Sequence, residues 1–122
     1  MNNRQIGKSC ESYICNKLLE DKYKIIARNF HLSKSPEIDI IAQKDNILHF
    51  IEVKARSGVD YGLPCEAVSD TKMAKIRKSS ELFIKKEDMY DMELSYDVAE
   101  VFFKMNKDEC EIININIIYG AF

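Results

Sequence analysis

The chain has 122 residues, 46% of them hydrophobic and 31% charged, with only 4 Gly and 2 Pro. That suits one globular domain, 1–122, able to bury roughly two-thirds of its unfolded surface, and excludes a disordered or fibrous chain. A net charge of -2 argues against a chain-wide basic coat for nucleic acid. No apolar run approaches the roughly 18 residues of a membrane span, and MNNRQIGKSCESY lacks a signal peptide's apolar core, so a cytoplasmic protein with no membrane partner is expected.

In residues 4–21, Ile6, Cys10, Ile14 and Leu18 recur every four positions, which predicts an amphipathic helix. YKIIARNFHL, rich in β-branched and aromatic residues, predicts a strand ending near Leu32, and Ser33 to Pro36 a loop. EIDIIAQ and NILHFIEVKA, separated by the turn signal Lys44-Asp45-Asn46, predict an antiparallel hairpin. After an irregular stretch, SGVDYGLPCEAVS, Ser69 or Asp70 is placed to cap a helix over TKMAKIRKSSELFIKK. Met73, Ile76, Phe83 and Ile84 form its apolar face, and Lys72, Lys75 and Lys78 or Ser79 another; such a lysine row is more often merely solvated. KEDMYDME reads as a loop, SYDVAEVFFKM as a strand, and CEIININIIYGAF as a last strand with Ile113, Ile115, Ile117 and Tyr119 on one side. The order α-β-β-β-α-β-β predicts an α/β domain, a central mixed β-sheet flanked by helices.

Cys10, Cys15, Cys65 and Cys110 form no Cys-x-x-Cys pair and read as small, mostly buried hydrophobes. With only His31 and His49 to complete it, a structural zinc site is not expected.

The hairpin carries the chemistry. Alternation puts Phe50, Glu52 and Lys54 on one face of their strand, Ile51 and Val53 on the other, and Glu37 with Asp39 on a common face. A two-residue turn at Asp45-Asn46 sets Asp39 opposite Glu52 and Glu37 opposite Lys54, whereas a four-residue loop sets Asp39 opposite Phe50. In either register the charges share a face, which predicts a core on the isoleucine side and a metal site on the other. Like charges opposed across a sheet repel, and a divalent cation relieves the repulsion. Asp39 and Glu52 are hard oxygen ligands suited to Mg²⁺ or Mn²⁺, Lys54 is placed to handle an attacking water or a charged phosphate, and Glu11, near the inner stripe of helix one, is a candidate outer ligand. Against this stands the plain alternative, an exposed Glu37–Lys54 salt bridge worth about 0–1 kcal/mol.

Glu11, Glu37-Ile38-Asp39 and Glu52-Val53-Lys54 resemble the PD-(D/E)XK nuclease signature. Together with Arg28-Asn29, Arg56, Gly62-x-Pro64-x-Glu66-Ala67-Val68 and Lys72, they resemble the YraN-like family of small bacterial candidate endonucleases over almost the whole chain. The resemblance implies a restriction-endonuclease-like core related to Holliday-junction resolvases. It also implies Mg²⁺ or Mn²⁺ held by Asp39 and Glu52, a catalytic Lys54, and support from Glu11. Glu37 and Glu66 are further supporting acids. The chain differs from the family in carrying Cys10 before Glu11, Pro36 before Glu37, and Ser95 where an arginine precedes the Phe-Asp-Val segment.

The expected function is metal-dependent hydrolysis of phosphodiester bonds in DNA, branched or structured forms included, with Arg56, Lys72, Lys75 and Arg77 holding the backbone. The alternative is a nucleic-acid-binding module of the same fold that acts with a partner protein and does not turn over. A homodimer is a further expectation, from the related resolvases and from the apolar IIYGAF terminus.

Overall fold

The computed structural model describes residues 1–58 and 69–122. Most of the stretch expected to be irregular, with Cys65 and the supporting Glu66, lies outside the described residues. Two helices and five strands follow the expected order: α1 (Asn3–Glu20), β1 (Lys24–Phe30), β2 (Ile38–Lys44), β3 (Ile47–Ser57), α2 (Asp70–Glu87), β4 (Glu93–Asn106) and β5 (Glu109–Ile118). The strands lie side by side in chain order in one sheet. Only the β3–β4 pair is parallel, joined through α2; the others are antiparallel. This is an α/β fold with a mixed central sheet between two helices, consistent with a restriction-endonuclease-like core. Among the described residues no helix is long and apolar enough to cross a membrane.

Helix α1 starts where Asn2 closes a capping box: its side chain accepts from Gln5 N, and the Gln5 side chain accepts from Asn2 N, both at 2.9 Å. Its buried face, Ile6, Cys10, Ile14, Cys15 and Leu18, packs on Ile40, Ala42, Ile51, Ala99 and Val101. Cys10 and Cys15 are core residues as expected, and burial pushes the Cys10 thiol up to about 12, with the neighbouring Cys110 adding to the shift. Helix α2 is capped by Ser69, whose Oγ accepts from Lys72 N. Ile76, Phe83 and Ile84 pack on Ile38, Ile41, Leu48 and Phe50 across the other sheet face.

The hairpin takes the tight register, Lys44 pairing with Ile47 and Ile40 with Ile51. One expectation needs correction. The face shared by Phe50, Glu52 and Lys54 is not wholly given over to charge: Ile41, Leu48 and Phe50 on it are fully buried under α2, each worth about 1.5–3 kcal/mol. The charged residues begin only where that apolar cover stops.

The last strand also departs from strict alternation. A register shift at Phe102/Phe103 leaves Ile113 without a partner between Ile112 and Asn114, so Ile112, Ile115 and Ile117 reach the α1-side core. The strand ends at Ile118; Gly120 turns the chain with φ +62, and Phe122 packs on Tyr96 at 5.5 Å. Phe122 therefore completes the core under α2, while Ile117 belongs to the α1 side.

Candidate active site

Strand β3 outruns its partner. The β2–β3 ladder ends at Ile40–Ile51, while β3 continues beside β4 to Ser57. Continuing the same register one step brings Asp39 to Glu52. The backbone N–H of Val53, beyond the end of the ladder, is taken instead by Asp39 Oδ2 at 2.8 Å, which pins the carboxylate to β3.

Glu52 is buried at 6% exposure. Its Oε1 accepts from Lys72 Nζ at 2.6 Å and lies 3.7 Å from Lys54 Nζ. Burial works to lower the Lys72 pKa, but the bond and charge of Glu52, joined by Lys54 and Asp39, outweigh it and hold the ammonium above its usual value. Asp39 is less well served. Burial first, then the charge of Glu52 and more weakly those of Glu11 and Glu37, push its carboxyl up to about 7, against the single relieving bond from Val53 N–H. The site thus holds more acid than its own cations neutralise.

Glu11 projects from α1 and is fixed by Asn29, whose Nδ2 donates to Glu11 Oε1 at 2.9 Å; Asn29 adopts φ +51. Glu37 stands one residue before β2 and is exposed. Lys54 pairs with Glu52 rather than with Glu37.

The chemistry of the donor set fits a hard divalent ion. Among the described residues no three His, Cys, Asp or Glu side chains converge to hold a metal. Two carboxylates completed by water and substrate phosphate are nonetheless an ordinary Mg²⁺ arrangement, and such an ion would offset the burial and neighbouring acids that disfavour ionised Asp39. Asp39 and Glu52 would hold it, with Glu11 at the periphery.

The four expected backbone-binding residues lie in different surroundings. Lys72 is inside the site on Glu52, although its side chain remains 42% exposed. Arg56 Nε lies 3.5 Å from Glu100 Oε2. Arg77 lies over the rings of Tyr96 and Phe122, at 5.6 and 6.0 Å, while Lys75 faces the loop before β2. Two residues along a helix turn the side chain by about 200°, which separates Arg77 from Lys75.

Glu100 was not anticipated. It pairs in register with Lys54, is 3% exposed, and accepts from Asn116 Nδ2 at 3.1 Å. The signal was present in SYDVAEVFFKM, a carboxylate within an apolar strand, like Glu52 in NILHFIEVKA.

Residues 10–101 match the model of a family described as "Uncharacterised protein family UPF0102". A UPF0102 protein of Acetivibrio thermocellus is 36% identical over 121 residues, covering 99% of this chain and 93% of the relative. One from Caldicellulosiruptor saccharolyticus is 34% identical over 122 residues, 100% of both chains. A third, from Dictyoglomus thermophilum, is 39% identical over 101 residues, 83% of this chain and 85% of the relative. The chain belongs to the UPF0102 family, the YraN-like group that its Glu37-x-Asp39 and Glu52-x-Lys54 segments resemble.

Proposed function

We propose that the chain is a metal-dependent endonuclease that hydrolyses phosphodiester bonds in DNA, branched forms included, with Mg²⁺ or Mn²⁺ at Asp39 and Glu52. One observation carries the reading. Carboxylates from adjacent strands meet beside Lys54 and Lys72, and the burial and neighbouring acids that press on Asp39 leave it short of positive charge.

A divalent ion bound there would supply a more acidic water and charge for the phosphoryl oxygens. The chain's own groups do the rest. Val53 N–H fixes Asp39 through Oδ2. Glu52, buried and bonded to Lys72, sets the second oxygen ligand. Lys54 orients the attacking water and places its ammonium where negative charge grows on the phosphoryl group. Water adds to phosphorus and gives up one proton to solvent, the bond to the leaving sugar oxygen breaks, and that oxygen takes up one proton from solvent, so that water is split across the bond. Lys72, half-exposed, contacts the incoming phosphate.

The test is cleavage of linear, flapped and branched DNA with Mg²⁺ or Mn²⁺. Wild type cuts at least one form; equal activity in Asp39→Ala would sink the assignment. The Lys72–Glu52 bond at 2.6 Å favours one rival, a binding module whose lysine permanently neutralises Glu52. Calorimetric Mn²⁺ binding with no cleavage of any substrate would support that rival.

A further inference from the structure

Beside the site, α2 and the loop entering β2 line a half-open cavity of about 340 Å³. Its lining combines Lys34, Lys75 and Lys78 with Leu32, Pro36 and Leu82. None of the three lysines has a carboxylate partner among the described residues. Three unpaired ammonium groups around one small cavity are an unusual concentration in a chain of net charge -2, and they form a local anion-attracting field.

The walls are fixed. Ser79 Oγ, fully buried, donates to Pro36 O at 3.0 Å, tying loop to helix, and Leu32 N–H donates to Ser35 Oγ at 2.8 Å. The cavity is also continuous in sequence with the carboxylate site at both walls: Pro36 precedes Asp39 by three residues, and Lys75 follows Lys72 by three. Lys72, Lys75 and Lys78 lie at i, i+3 spacing along one side of the helix, so their backbone positions span about 9 Å from Glu52's partner to the far end.

We infer that this groove binds the unpaired nucleotide flanking the scissile phosphodiester, a single-stranded segment of DNA, with phosphates on Lys34, Lys75 and Lys78 and a base against Leu32, Pro36 and Leu82. The inference rests on the nuclease reading for what happens next door, and deepens it by naming the form of the substrate. The volume is at the small end of ligand pockets, about 300–1,000 Å³, and admits one nucleotide rather than a helix. An apolar floor with a cationic rim suits a strand whose base face is exposed, and such contacts are indifferent to sequence. A duplex keeps its base faces stacked inside and is too wide to enter a groove of this size, so it reaches neither the apolar floor nor the three lysines together.

Fluorescence anisotropy on the full chain tests this, with divalent ions chelated so that nothing is cut. The probes are a labelled single strand, a flapped duplex and a blunt duplex. Lys34→Gln/Lys75→Gln/Lys78→Gln is compared with wild type and with a control triple, Lys17→Gln/Lys24→Gln/Lys104→Gln, and circular dichroism verifies folding. The groove triple should weaken single-strand and flap binding about tenfold or more. It should also flatten the dependence of log affinity on log salt by about 1.4, the slope expected for losing contact with the two phosphates that flank one nucleotide of a single strand. Blunt-duplex binding and the control triple should change little.

Unchanged single-strand binding in the groove triple would overturn the inference. So would an equal loss in the control triple, an equal loss on blunt duplex, or displacement of the strand by polyglutamate of matched charge as readily as by unlabelled strand. Failure of wild type to cut DNA in Mn²⁺, with these binding results intact, would instead break the nuclease reading and leave the groove as a single-strand site.

Discussion

The sheet carries two buried ionisable clusters, one on each face, and they are built on opposite terms. On the α1 face Asp97, 0% exposed, accepts from three donors: His49 Nδ1 at 2.6 Å, Ser95 Oγ at 2.6 Å and Gly120 N at 3.0 Å. Tyr23 and Tyr119 pack edge-on against the His49 ring. Both oxygens of that carboxylate are hydrogen-bonded inside the chain, and the bonds join β3, β4 and the C-terminal turn. On the α2 face Asp39 has one internal donor and three acids pressing on it. A buried acid kept for stability is surrounded by donors, whereas one kept for a ligand is left under-supplied.

The largest expected effect breaks the chemical half of this contrast. Asp39→Asn should lower Mn²⁺-dependent cleavage by a factor of about 10³ or more, in the range of catalytic electrostatic contributions, and weaken Mn²⁺ binding by calorimetry. Asp97→Ala should do the reverse. It strips three donors of their acceptor in the interior and should cost about 3 kcal/mol in urea unfolding. Mn²⁺ affinity of the folded protein should stay within twofold of wild type. If Asp97→Ala abolished Mn²⁺ binding while folded, the two clusters could not be assigned separate roles.

A third, smaller effect separates the clusters by pH. The Asp39 carboxyl titrates near 7 in the fold, against 3.8 in the unfolded chain, so between about pH 4 and 7 the folded state holds a proton that unfolding releases. Its contribution to stability is fullest at low pH and is lost as pH rises through 7. Allowing for partial exposure, metal-free protein should lose about 2 kcal/mol between pH 5 and 8 from this group. Urea melts in a chelator should show that slope in wild type, a flat profile in Asp39→Asn, and recovery on adding Mn²⁺ at pH 8.

Much of the carboxylate site was legible in the sequence because it rests on local rules. Asp45-Asn46 announces the turn, period-two alternation fixes the faces, and Asp39 and Glu52 follow from the register that Lys44–Ile47 confirms. What escaped depends on distant parts of the chain. No spacing in NILHFIEVKA says that the apolar residues of α2 cover Phe50 while Glu52 meets that helix at Lys72 instead. Glu100 becomes part of the site only through the parallel pairing with Lys54 created by the α2 crossover. The Asp97 network needs Gly120, 23 residues away, to turn back, and Ile112 replaces Ile113 in the core because of a bulge that only the β4 partner imposes. Residues 75 and 77 shared a positive charge in the sequence; the helix's rotation sent one to the groove and the other onto Tyr96.

The smallest effect sharpens the comparison on a single helix. Ser79 and Ser80 are adjacent, both fully buried, and both hydrogen-bonded through Oγ. Each change to alanine removes one or two such bonds and should cost about 1 kcal/mol, so stability alone will not tell them apart. Their partners differ. Ser79 holds the carbonyl of Pro36, three residues before Asp39, whereas Ser80 bonds Tyr96 OH on the sheet below. Releasing Pro36 frees the entry to β2 and with it the aim of Asp39. Ser79→Ala should therefore weaken Mn²⁺ binding several-fold by calorimetry, and Ser80→Ala should leave it unchanged. Equal Mn²⁺ affinities in the two variants would mean that Val53 N–H alone holds Asp39 in place, and that the loop bearing Pro36 serves the groove but not the carboxylates.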